Sequence, residues 1–87
     1  MRFKPSRRFR SKLRMQSTSF QNRAAKALKN LGLNPRSKGV NLEPVRGRKG
    51  YYTSRISRSH RLLLRQCEDE NGDFWLVVDF GTHDKTY

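Results

Sequence analysis

Cysteine is nearly absent from this sequence: Cys67 stands alone among 87 residues, so no internal disulfide can staple the fold. Histidine is almost as scarce, with only His60 and His83, and a structural zinc site, which takes four Cys, His or acidic ligands, would be short of donors. No metal and no other cofactor is expected. Long apolar runs are missing too. Nothing approaches the ~20 residues of a membrane-spanning helix, and the opening MRFKPSRRFRSKLRMQ lacks the apolar centre of a secretory signal. No membrane partner is therefore expected, and the chain is expected to work in the cytoplasm. Its length predicts one domain, residues 1–87, too small for a dinucleotide-binding half plus a substrate domain, a kinase or a barrel enzyme.

The most telling shortage is of acids. Seven Asp and Glu stand against 20 Lys and Arg, a formal charge of +13. The first 65 residues carry 19 of the basic residues and a single acid, Glu43, while the other six acids fall between Glu68 and Asp84. A solvated surface interleaves the two signs; a nearly acid-free stretch of this length reads as a footprint for a polyanion, with nucleic acid first and an acidic protein second. The bland alternative is a basic chain with scattered Arg and no specific site.

What is present is one α+β pattern. Phe3 among basic residues predicts a short first strand, and Phe9 and Leu13 after Ser6 lie four apart, as one face of a short helix requires. Thr18-Ser19-Phe20-Gln21 fits a capping box, with Phe20, Ala24, Ala27, Leu28 and Leu31 following at helical spacing until Gly32 and Pro35 stop the helix. Residues 32–50 lack periodicity and read as a loop, with an ordered patch at Val40–Leu42 and a turn at Arg46-Gly47. Beyond it, residues 51–57, 61–67 and 74–80 read as strands, and EDENGD at 68–73 carries the Asn-Gly hairpin signal. The expected fold is an N-terminal strand and a helical hairpin packed on a small antiparallel β-meander.

Strand alternation then sorts the side chains. If Ile56, Leu62 and Leu64 face the helices, Arg55, Arg61 and Arg65 emerge together on the opposite face. Three guanidiniums on neighbouring strands suit phosphate oxygens, which the Arg fork grips bidentately. Trp75 reads as packing, with lining of the basic face as the alternative, and His60 reads as a polar strand-end residue.

The order of a basic loop (Arg46 to Lys49), Y-x-x-R (Tyr52 to Arg55), R-x-x-x-R (Arg61 to Arg65), a closing strand WLVVDF and the terminus His83-Asp84-Lys85-Thr86-Tyr87 resembles the RelE/ParE superfamily of toxins from bacterial toxin-antitoxin modules. The likeness spans essentially the whole chain. It implies a RelE-like, microbial-RNase-like fold and one of two activities: metal-independent cleavage of mRNA on the ribosome, as in RelE-like members, or inhibition of DNA gyrase, as in ParE-like members. A non-catalytic basic nucleic-acid-binding module is the further alternative. Cleavage needs a 2′-OH deprotonated, charge at phosphorus stabilised and the leaving oxygen protonated, and His83 is the neutral-pH acid or base of the tail. On this resemblance Arg61 and Arg65 hold the scissile phosphate and Arg55 an adjacent one. Tyr87 stacks on a base or lends its hydroxyl to proton transfer, and Arg46, Arg48 and Lys49 track the RNA backbone. RelE itself carries lysines where this strand has Tyr52 and Ser54, which takes proton transfer away from lysine here. The implied partners are the ribosome, mRNA and an acidic cognate antitoxin that folds on binding.

Overall fold

The computed structural model describes residues 2–82. Strand β1 (Arg2–Pro5) leads into helix α1 (Arg7–Arg14) and helix α2 (Thr18–Leu33); β2 (Glu43–Pro44), β3 (Tyr51–Arg55), β4 (His60–Asp69) and β5 (Gly72–Thr82) follow. The strands form one sheet in the order β1-β5-β4-β3-β2. From β2 onward every pairing is antiparallel, the expected meander, and β1 adds itself parallel to β5 with Phe3 opposite Trp75. The chain between β1 and β5 runs through both helices and the strands β2, β3 and β4, which supplies the long connection that parallel neighbours need.

Local chemistry explains the helix starts. Ser6 caps α1 by accepting the Phe9 amide proton on its hydroxyl at 3.1 Å, while that hydroxyl donates to the Val78 carbonyl at 2.9 Å and fastens the cap to β5. For α2 the cap is Ser17, whose hydroxyl accepts from the Phe20 amide at 3.1 Å, one residue earlier than the Thr18 frame predicts. Both hydroxyls precede the apolar stripe, and the Ser17 frame places Phe20 at the third helical position, where its ring reaches Phe80 and His60. Gln21 still reaches back, donating its amide to the Gln16 carbonyl at 3.0 Å. The helix runs through Gly32 to Leu33 and ends at Asn34, whose amide bonds the Asn30 carbonyl at 2.9 Å.

The hairpin between β4 and β5 turns on Glu70 and Asn71, with Asp69 opposite Gly72. Asp69 accepts the Asn71 amide proton at 2.9 Å, and Gly72 takes a φ of +106°, which a residue without Cβ adopts without strain. Asn71 thus sits in the two-residue turn and Gly72 opens β5. A bulge lies between Leu63 and Leu64, where Leu63 pairs Asp79 and Leu64 pairs Val77.

The core lies on the helix side of the sheet. Phe9, Leu28 and Leu31 from the helices close over Leu62, Leu64, Trp75, Val77 and Phe80, with Val40 from the connecting loop. Phe9 meets Phe80 edge-on at 5.9 Å. Trp75 belongs to this core and stacks edge-on with Tyr52 at 5.2 Å, so it packs rather than lining the basic face. At the bulge, buried Asp79 accepts from Lys12 at 3.0 Å and from the Phe80 amide at 2.7 Å, pinning α1 to β5. Among the described residues no helix is long and apolar enough to cross a membrane.

Candidate nucleic-acid interface

The register of β3 and β4 decides where the arginines go. Tyr52 pairs Leu64 and Ser54 pairs Leu62, on the helix side; Tyr51 pairs Arg65, Thr53 pairs Leu63 and Arg55 pairs Arg61, on the other. Arg55, Arg61 and Arg65 therefore share the sheet face away from the helices, as alternation predicts. They form two groups, because Arg61 and Arg65 stand four residues apart on β4, about 13 Å between Cα atoms.

The first group centres on Arg61, which is buried. Its Nε–H donates to the Thr53 hydroxyl at 2.9 Å, and Nη2 donates to the Thr53 carbonyl at 3.2 Å and the Asn41 carbonyl at 2.5 Å. Asn41 sits at a φ of +48°, a conformation Asn tolerates better than most residues. Glu43 stands 3.8 Å from the guanidinium. Burial lowers the Arg61 pKa, Glu43 opposes this, and the nearby positive charge of Arg55 lowers it further. Arg61 with Arg55, Asn41, Ser57 and Arg58 lines a cavity of about 220 Å³. Arg61 is thus a fixed cation in the wall, while Arg55 and Arg58 are exposed at its rim.

The second group gathers around a tyrosine that the motif reading passes over. The Arg48 guanidinium lies 4.2 Å from the Tyr51 ring centroid and that of Arg65 lies 5.7 Å from it, within cation–π range. Tyr51 was legible in principle, since alternation puts it on the same face as Thr53 and Arg55. The loop bearing Arg46, Arg48 and Lys49 is held by successive turns: Arg48 N–H bonds the Val45 carbonyl at 3.2 Å and Tyr51 N–H the Arg48 carbonyl at 3.1 Å. Gly47 takes the positive φ of +78° that a turn of type II needs at its third position. Val45 is buried beneath, so the loop projects exposed Arg46, Arg48 and Lys49 from a fixed base. His60 lies elsewhere, edge-on to Phe20 at 5.0 Å and bonded through Nδ1 to the Ser59 hydroxyl at 3.0 Å. His83 and Tyr87, predicted as acid/base and stacking residues, lie outside the described residues. β5 ends at Thr82, opposite His60, and Gly81 pairs Arg61. Among the described residues no three His, Cys, Asp or Glu side chains gather as metal ligands.

No family model matches the chain, and no curated protein matches it. Solved structures do. A YoeB/ParE toxin from Agrobacterium tumefaciens superposes with a TM-score of 0.74 at 17% identity, over 95% of this chain and 99% of that one. YafQ from E. coli strain BL21(DE3) gives 0.72 at 15% identity, over 100% and 99%. A RelB-RelE antitoxin-toxin complex from Methanococcus jannaschii gives 0.59 at 13% identity, over 100% and 95%. The described residues have the fold of these RelE- and ParE-type toxins.

Proposed function

We propose that this chain is the toxin of a toxin-antitoxin module and that it cleaves mRNA in a ribosome-dependent reaction that uses no metal. The observation that carries the reading is the arginine ladder: Arg55 opposite Arg61 and Arg65 opposite Tyr51, on the sheet face opposite the core, beside a basic loop. In this reading the substrate 2′-oxygen attacks phosphorus, the bond to the 5′-oxygen breaks, and the products are a 2′,3′-cyclic phosphate and a free 5′-hydroxyl. Arg65 stabilises the charge that develops on the phosphoryl oxygens, and Arg61, about 13 Å away along β4, adds a fixed positive charge in the wall beside it. Arg55 holds a neighbouring phosphate, and Arg46, Arg48 and Lys49 follow the backbone. His83, bonded to the last residue of β5, serves as acid or base, and Tyr87 stacks on a base or assists proton transfer. Arg61 contributes through its fixed position and Tyr51 by orienting Arg48 and Arg65. The partner is an acidic antitoxin, as the RelB-RelE complex suggests, and the site of action is the cytoplasm.

The test is a reconstituted translation reaction in which mRNA 5′ ends are mapped by primer extension, with naked mRNA and the His83→Ala variant alongside. Cuts that appear only with ribosomes and vanish in His83→Ala are expected. Cuts on naked mRNA would make the protein a free ribonuclease. No cuts at all would overturn the nuclease reading in favour of a gyrase inhibitor or a non-catalytic binding module.

A further inference from the structure

Many cations of this chain are neutralised within the fold. Arg2 and Lys4 contact Asp69 at 2.8 and 2.9 Å, and Lys12 and Arg8 contact Asp79 at 3.0 and 3.4 Å. On α2 and at the β3–β4 turn the reverse holds. Arg23, Lys26 and Asn30, spaced to share one face of α2, line a cavity of about 430 Å³ together with Arg55, Ser57 and Arg58. Among the described residues no carboxylate lines this cavity, and none lies within ion-pair distance of Arg23, Lys26, Arg55 or Arg58. Arg55, Ser57 and Arg58 also wall the smaller cavity that reaches Asn41 and Arg61. The two cavities share that wall, so among the described residues a path of positive charge runs from the arginine ladder around the turn to α2.

Four like charges around a concave surface repel one another until a ligand with repeated anions joins them. An acidic protein segment would need apolar or aromatic anchors to bind firmly, and among the described residues this cavity offers Ala27 and Ile56 alone. A phosphodiester backbone needs none, because guanidinium forks and an ammonium supply its contacts. We propose that the groove between α2 and the β3–β4 turn, walled by Arg23, Lys26, Arg55 and Arg58, binds the phosphates of a single RNA strand continuing from the arginine ladder. The proposal rests on the reading of that ladder as an RNA site.

The probe is a labelled 12-nucleotide 2′-O-methyl RNA, which presents phosphates and resists cleavage, followed by fluorescence anisotropy at several salt concentrations. Arg23→Gln/Lys26→Gln removes two charges from the groove. Gly39→Glu adds a carboxylate to its wall, at a position where a Cβ meets nothing within 4 Å. Each lost contact to a single strand removes ~0.7 from the slope of log affinity against log salt, so the double variant should lose about 1.4 of slope and bind roughly tenfold more weakly at low salt. Gly39→Glu should weaken binding similarly, while the control Arg10→Gln/Lys29→Gln, with the same charge change outside the groove, should lose less than about twofold. An equal loss in the control would overturn the proposal in favour of a general field. So would unchanged RNA binding in the groove variants, loss confined to an RNA hairpin, or loss confined to a poly-glutamate peptide. A groove effect alongside an inactive wild type in the translation assay would uphold the groove and reject the nuclease.

Discussion

The guanidinium of Arg61 reaches diagonally across the β3–β4 ladder to Thr53, donating Nε–H to the hydroxyl at 2.9 Å and an Nη2 proton to the carbonyl at 3.2 Å. Within the fold it is a structural cation. Arg61→Ala leaves the Thr53 and Asn41 acceptors unsatisfied and should cost about 2–4 kcal/mol, read as a lower urea midpoint. Arg65→Ala, at an exposed position, should stay within about 0.5 kcal/mol of wild type while abolishing growth arrest. Growth arrest at wild-type level in Arg65→Ala would remove Arg65 from the site.

The two serine caps make a sharp comparison. Ser17→Ala should lower stability by about 1 kcal/mol, and Thr18→Ala, inside the first turn, by no more than a few tenths. Thermal unfolding of the two variants measures this, and the reverse order would restore the Thr18 frame.

Asp79 joins α1 to β5 through Lys12, with Arg8 beside it. Asp79→Ala strips a buried charged acceptor from the Lys12 ammonium and the Phe80 amide, an expected loss of about 1–3 kcal/mol. The α1 amides should then exchange with deuterium faster than those of β4.

Asp69 gives the acid limb of stability. The hydrogen bond from Arg2, then that from Lys4, hold its carboxyl far below the ordinary carboxylate range. A depressed folded-state pKa stabilises the fold above the unfolded value of ~3.9, and the contribution is lost as pH falls below it. The urea midpoint of wild type should therefore fall more steeply between pH 4 and pH 2 than that of Asp69→Asn. Equal slopes would show that the β1 contacts contribute nothing to folding.

Phe9 is the apolar anchor of a short, strongly basic helix. Phe9→Ala should cost about 3–5 kcal/mol, a large part of the stability of a domain this size, and should leave the protein partly unfolded at 37 °C by near-ultraviolet circular dichroism.

Local pattern carried much of this protein. Period-two alternation in YYTSR and HRLLLRQ is a property of the chain itself, so the common face of Arg55, Arg61 and Arg65 was readable before any fold was known. The helical stripes of Phe9 with Leu13 and of Phe20 through Leu31, the Asn71-Gly72 hairpin and the nearly acid-free first 65 residues were readable for the same reason. Contacts between distant residues were not. That Arg61 is buried depends on the Asn41 carbonyl arriving from a loop twenty residues away, and no periodicity specifies that approach. The parallel docking of β1 on β5, the burial of Asp79 against Lys12 and the meeting of Arg48 with Arg65 over Tyr51 also join elements far apart in sequence. So does the groove, in which Arg23 and Lys26 of α2 come to stand beside Arg55 and Arg58. The sequence by itself determined which residues share a face, because that follows from backbone geometry within one element. Which of the described charges pair with one another is set by the tertiary structure, because pairing depends on distances across the fold.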